Sequence, residues 1–144
     1  ALGGYRAGAR VNLEPPLRMG DALGGHMLQG HVEGTGKLVD FRKLAGDAGW
    51  WLRLTLPEAL LPFVVPKGSL AVDGISLTVA TLERGQAGIA IIPHTWRNTH
   101  LRWLEPGAAM NLETDPIARH IERLLSARRE SPALSVSALR RQGF

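Results

Sequence analysis

GGHMLQGHVEG, residues Gly24 to Gly34, alternates like a strand yet sets two histidines among its glycines. Glycine inside a strand weakens it unless a ligand or another backbone must come close. Histidine adds a hydrogen-bond donor and acceptor at the same place. The stretch therefore reads as a strand that walls a pocket, with something planar or polar against it. Two more segments share the character, VDGISLTV at Val72 to Val79 and IIPHT at Ile91 to Thr95.

Outward from this stretch the chain is almost all strand and turn. Apolar or alternating runs predict strands at His26 to Val39, Trp50 to Leu56, Ser69 to Val72, Ile75 to Leu82, Ala87 to Ile92 and Ala109 to Leu112, punctuated by Gly, Pro, Asp and Asn. Six short strands at that spacing suggest a small barrel or sandwich. A short helix is predicted over Pro57 to Phe63, with Pro57 at its first position and Glu58 at the positive end of its dipole. After Asp115 the period turns helical: Asp115 caps, Pro116 opens the first turn, and Ile117, Ile121, Leu124 and Arg128 form one stripe. That stripe needs a partner, either the barrel or the same helix of sibling chains. From Ser131 onward the chain reads as a frayed tail.

With 144 residues and 44% hydrophobic content, the chain can bury one core but hardly two. The lack of cysteine excludes a disulfide framework, a thiolate metal site and a cysteine nucleophile, and it fits a reducing compartment, so a cytoplasmic location is expected. No run approaches the roughly 20 apolar residues of a membrane span, and no charged-then-apolar leader opens the chain, so no membrane partner is expected. The net charge of +4 sits at one end: six arginines and two glutamates lie between Arg119 and Phe144, leaving the body neutral. A nucleic-acid binder would instead interleave basic and aromatic residues over a folded face, so no nucleic-acid partner is expected.

The chain also resembles itself. LGGYRAGARVNLEPPLRMGD from Leu2 aligns without a gap to LRWLEPGAAMNLETDPIARH from Leu101, matching Gly8 to Gly107, Asn12 to Asn111, Leu13 to Leu112 and Glu14 to Glu113. A fixed offset of this kind marks duplicated units. The first copy would contribute only its last strand, and the chain from Pro15 onward would be a complete second unit.

His26 and His31, five residues apart, fall on opposite faces of a regular strand, so at most one enters the barrel easily and a shared metal site is not expected. His26 reads as structural and His31 as the ligand candidate. In VDGISLTV, Ser76 and Thr78 share one face, with Ile75, Leu77 and Val79 on the other. The two hydroxyls are either a solvated outer face or, beside the Asp73-Gly74 turn, readers of the amide edge of a heterocycle. In IIPHT, Pro93 frees a backbone carbonyl from ladder pairing, and Thr95 donates or accepts.

Taken in order, GGHMLQGHVEG, KGSLAVDGISLTV, IIPHTWRNTHL and MNLETDPIARHIERLL resemble the second half of the riboflavin synthase family, alpha-subunit type, from about Leu2 to Arg129. The resemblance implies an all-β fold, a six-stranded antiparallel Greek-key barrel with a C-terminal α-helix that joins three chains. Residues 1–22 would be the last strand of a truncated first barrel and a linker, 23–114 the second lumazine-binding barrel, 115–130 the oligomerisation helix and 131–144 a flexible tail. The implied reaction joins two molecules of 6,7-dimethyl-8-ribityllumazine by four-carbon transfer, releases riboflavin and a ribitylamino-pyrimidinedione, and needs no cofactor. Matched by position, the lumazine site would comprise Gly30, His31 and Val32, then Lys67, then Ser76, Leu77 and Thr78, then Ala90, Ile91, Ile92, Pro93, His94 and Thr95. His31, Ser76 and Asp115 take the positions that the family associates with catalysis. His100 stands where a threonine is usual, and Glu33 where an aspartate is common. With the first barrel missing, half of each composite site would be gone, so the chain is expected to bind lumazine or riboflavin but to turn over poorly by itself. The competing readings are a non-catalytic lumazine or flavin carrier and a purely structural oligomerisation module.

Overall fold

The computed structural model of the chain describes residues 2–46, 48–130 and 140. Its strands are β1 (Gly34–Lys43), β2 (Trp50–Thr55), β3 (Ser69–Val72), β4 (Ile75–Glu83), β5 (Gln86–Ile91) and β6 (Ala109–Thr114). They close into one antiparallel barrel in the order β1-β2-β5-β4-β3-β6. β3, β4 and β5 follow one another as hairpins and β6 returns beside β3, which is a Greek key. The expected all-β barrel is the one observed.

The period of two in the sequence becomes the inside and outside of this cylinder. Leu52 and Leu54, Leu70 and Val72, Val79, Ile89, Met110 and Leu112 all point inward and are fully buried, each such aliphatic side chain contributing about 1.5–3 kcal/mol by leaving water. On the outer face of β1 and β2, Asp40 and Arg53 are register partners and form a two-point ion pair at 3.1 and 2.5 Å.

Three segments differ from the sequence-based expectation. β1 begins at Gly34 rather than His26. The amides of Gln29 and Gly30 bond to a carboxylate, that of Glu113, instead of to ladder carbonyls, and Gly30 leaves the extended region with φ +76°. Residues 24–33 therefore form a strap across the outside of the barrel. IIPHT does not continue as strand, because Pro93 opens a short helix, α1 (Pro93–Asn98), directly after β5. Third, among the described residues before Gly34 there is a single 3₁₀ turn, Leu2–Gly4, and no strand. Every barrel strand already has a neighbour on each side, so no full-length edge is open for another. Asn12 instead caps the end of the barrel: its Nδ2 donates to the Asp73 carbonyl at 3.0 Å and its Oδ1 accepts the His100 N–H at 2.9 Å. Its repeat partner Asn111 meets the same turn, donating its N–H to Asp73 Oδ1 at 2.7 Å.

The helix expected after Asp115 is α2 (Pro116–Glu130). Its apolar stripe is not covered by the barrel, for Ile117, Ile121, Leu124 and Leu125 are all exposed. The barrel side is held by Arg119, whose guanidinium lies 5.7 Å from the Phe63 ring centroid. Of the expected tail at 131–144, all but Arg140 lies outside the described residues. Among the described residues no helix is long and apolar enough to cross a membrane.

Candidate functional site

Ser76, Ala71 and Glu113 form one cross-strand row over β4, β3 and β6. They alternate with the inward Leu77, Leu70 and Val72, which places the row on the outer face. The strap lies along it. At one end the Ser76 hydroxyl oxygen is 3.2 Å from the His26 N–H and 2.8 Å from His26 Nδ1, a geometry satisfied when the hydroxyl accepts the first and shares its proton with the second. A Cβ on Gly25 would stand 2.5 Å from Ser76 Oγ, so only glycine lets the strap come this close. At the other end the row's Glu113 receives two strap amides, Gln29 at 2.7 Å and Gly30 at 3.0 Å.

Beside this row two strands part. The β4–β5 ladder runs from Glu83 opposite Gln86 to Val79 opposite Ile89 and stops. Beyond it Ser76, Leu77 and Thr78 pair only with β3, while Ala90 and Ile91 pair only with β2. Lys67 sits at the same level, its N–H donating to the Val79 carbonyl at 2.7 Å. Thr78 and Ala90 are exposed on the outer face, whereas Leu77 and Ile91 point into the core and can offer a ligand only main-chain groups. Ile92 precedes α1, and Pro93, His94 and Thr95 lie on it; the helix is tied down by Trp96 stacked on Trp50, with centroids 4.4 Å apart, and set edge-on to Phe41. A parted pair of strands exposes the N–H and C=O edges that a heterocyclic amide would need.

A cleft of about 240 Å³ opens where β6 meets α2, lined by Gln29, His31, Glu33, Thr114, Pro116 and His120 among others. His31 is exposed at its rim. Asp115 lies between Thr114 and Pro116 and accepts the Ile117 N–H at 2.9 Å, so one of its oxygens serves as the α2 cap. Burial pushes the Glu33 carboxyl up, but the Thr114 hydroxyl, the Arg119 guanidinium and the Thr114 N–H outweigh that and hold it below its ordinary value. On the other side of Glu113 a smaller cleft of about 150 Å³ is lined by Tyr5, Asn12, Gly30, Val32, Asp73 and His100 among others. There Asp73 and His100 are both buried, with Nε2 3.2 Å from Oδ2. Burial and the Asp73 charge raise the Tyr5 phenol above its ordinary value.

The structure thus brings the expected residues into two neighbouring groups rather than one cleft. Lys67, Thr78 and Ala90 to Thr95 surround the strand parting, while on the strap His31 lines the cleft beside Thr114 and Pro116, and Gly30 and Val32 line the smaller one. Ser76 lies on the strand parting but under the strap. Sequence reasoning missed His26 as the partner of Ser76, and it missed Glu113 as the anchor of the strap. The recurring Asn-Leu-Glu tripeptide did mark Glu113, though only as a repeat.

Residues 29–115 match the family model for the lumazine binding domain. Over 127 residues the chain is 41% identical to riboflavin synthase of Mycobacterium bovis, which covers 86% of this chain and 62% of that protein. It is 33% identical over 147 aligned residues to riboflavin synthase of Actinobacillus pleuropneumoniae, covering 100% of this chain and 67% of that one. The chain thus spans about 62% of the length of the first of these relatives. Among solved structures, LumP complexed with riboflavin superposes with a TM-score of 0.60 at 20% identity, covering 66% of this chain and 50% of that one. LumP complexed with 6,7-dimethyl-8-(1'-D-ribityl) lumazine gives 0.59 at 18%, covering 65% and 52%. At such identity the likeness shows the barrel fold alone.

Proposed function

This chain belongs to the riboflavin synthase family, and we propose that its barrel holds one molecule of 6,7-dimethyl-8-ribityllumazine, as one of the two halves needed to make riboflavin. The observation that carries the reading is the parting of β4 and β5 beside the row that bears Ser76. It offers a flat heterocycle two unpaired strand edges and a fixed hydroxyl, and Gly30, His31 and Val32 on the neighbouring strap are proposed to close the site when the ligand is held. Lys67, Leu77, Thr78 and the segment Ala90 to Thr95 would complete the site, Leu77 and Ile91 through their main chain.

In the proposed reaction two lumazines meet, one passes a four-carbon unit to the other, and riboflavin and a ribitylamino-pyrimidinedione leave. The methyl beside the ribityl-bearing nitrogen is acidic because the ring delocalises the resulting anion. The protein then has mainly to orient the rings and relay protons. His31, Ser76 and Asp115 are the groups proposed to do so, and this chain supplies one side of the encounter.

Titration of riboflavin fluorescence with the chain should show saturable quenching with one ligand per barrel. Ser76→Ala should weaken it by about 5- to 30-fold, the effect of one or two kcal/mol. Fluorescence that does not respond to the unmodified chain would overturn the reading. A non-catalytic carrier is the second reading, since a barrel that holds the heterocycle need not turn it over. Production of riboflavin from lumazine, once the chain is paired with a complementary first barrel, separates an enzyme from a carrier.

The exposed stripe Ile117, Ile121 and Leu124 on α2 supports a homotrimer built through this helix. Light scattering of the unmodified chain is expected to give three times the chain mass, and Ile121→Glu combined with Leu124→Glu is expected to give the monomer. A mass that does not change with those substitutions removes α2 from that role.

A further inference from the structure

Two carboxylates, Glu113 buried and Glu33 partly so, cross between β6 and the strap in opposite directions. Glu113 on β6, 8% exposed, takes the strap's Gln29 and Gly30 amides, one on each oxygen, at 2.7 and 3.0 Å. Glu33 at the end of the strap, its side chain 12% exposed, reaches back: Oε2 accepts the Thr114 hydroxyl at 2.6 Å and the Thr114 N–H at 3.3 Å, and Oε1 pairs with Arg119 of α2. Each segment's side chain thus holds the other segment's main chain. His31 and Val32 are caught between the two anchors, and Asp115 directly follows Thr114.

A carboxylate drawn out of water needs its oxygens occupied, and these four hydrogen bonds and one ion pair occupy both groups. The donors are mostly main-chain amides, which cannot swing away as a side chain can, so the clasp fixes backbone position rather than a rotamer. We propose that Glu113 and Glu33 are positioning residues: together they set the place of the Gly30–His31–Val32 wall and hold His31 next to the strand end that carries Asp115. Through Arg119 the same clasp fixes the start of α2, so the oligomerisation helix and the ligand wall share one anchor. Neither carboxylate is asked to touch the ligand. The ligand arm of the test rests on the proposed function, while the backbone arm does not.

The experiment measures amide hydrogen exchange and riboflavin affinity on the full chain carrying Glu113→Gln or Glu33→Gln. Glutamine at 113 turns one acceptor into a donor that faces an N–H. The Gln29 and Gly30 amides should then exchange at least about tenfold faster while those of Leu52 and Ile89 in the barrel stay protected. The dissociation constant for riboflavin should rise by about tenfold. Glu33→Gln keeps a carbonyl for Thr114 and loses Arg119, so its effect on affinity should be smaller, with faster exchange confined to the start of α2. Unchanged exchange at Gln29 and Gly30 in Glu113→Gln would overturn the clasp. Faster exchange with unaltered affinity would overturn its positioning role. If the unmodified chain binds no riboflavin, the proposed function fails, and the exchange arm still decides the clasp. Should Glu113→Gln not fold, Arg119→Gln leaves Glu113 in place and releases only the α2 arm. Weaker riboflavin binding with faster exchange from Asp115 to Ile117 would support the shared anchor, and no change in either would overturn it.

Discussion

Replacing Gly25 with alanine is expected to weaken riboflavin binding by more than about tenfold while leaving the barrel folded. The added Cβ would come within 2.5 Å of Ser76 Oγ and 2.6 Å of its Cβ. A serine side chain has no flexible end to yield, so the strap has to lift. Lifting breaks the two contacts that orient the Ser76 hydroxyl, from the His26 N–H and from Nδ1, and it displaces the wall that begins at Gly30. Within 4 Å the added Cβ meets Ser76 and no core residue of the barrel, so the melting temperature should fall by no more than a few degrees, the equivalent of about 1 kcal/mol. Fluorescence titration together with a thermal melt followed by circular dichroism checks both halves. Affinity within twofold of the unmodified chain would show that the strap does not shape the site.

The largest effect on stability is expected from Gly36→Ala. Gly36 is buried in β1, opposite Met110 of β6. A Cβ there would stand 2.3 Å from the Thr55 carbonyl oxygen and 3.1 Å from terminal methyls of Leu54 and Leu112. Side-chain rotation relieves the second kind of contact but not the first, since the carbonyl belongs to the adjoining backbone. Either β1 or the end of β2 must move, and overpacking of this kind costs about 1–3 kcal/mol or more. The melting temperature should drop by roughly 10 °C, with riboflavin binding lost in proportion to the unfolded fraction. A drop of under about 3 °C would mean that the wall has slack at this point.

How much was legible in the sequence follows from the range of each interaction. The strands of the hairpins, β3, β4 and β5, were placed to within a residue at almost every end, because the period of two and the Asp73-Gly74 and Arg84-Gly85 turns act over a few neighbours. Asp115 and Pro116 marked the start of α2 for the same reason. The strap was misread as strand because its alternation is real, yet its amides find a partner, Glu113, more than eighty residues away. Likewise, no spacing rule links His26 to Ser76, which meet across fifty residues. His31, read as the ligand candidate, is exposed and His26 is half-buried against Ser76, but opposite strand faces do not set the two apart, since neither histidine lies in a strand.

What the sequence alone determined is the barrel and its family: local periodicity, turn chemistry and the order of four motifs suffice, because each is written in adjacent residues. What only the tertiary structure decided is how the wall of the site is held. The Glu113 carboxylate and the Ser76 hydroxyl hold the strap from strands far along the chain, Glu33 of the strap reaches back to Thr114, and a hydrogen bond of that kind depends on distance in space, which closure of the barrel sets and residue order does not.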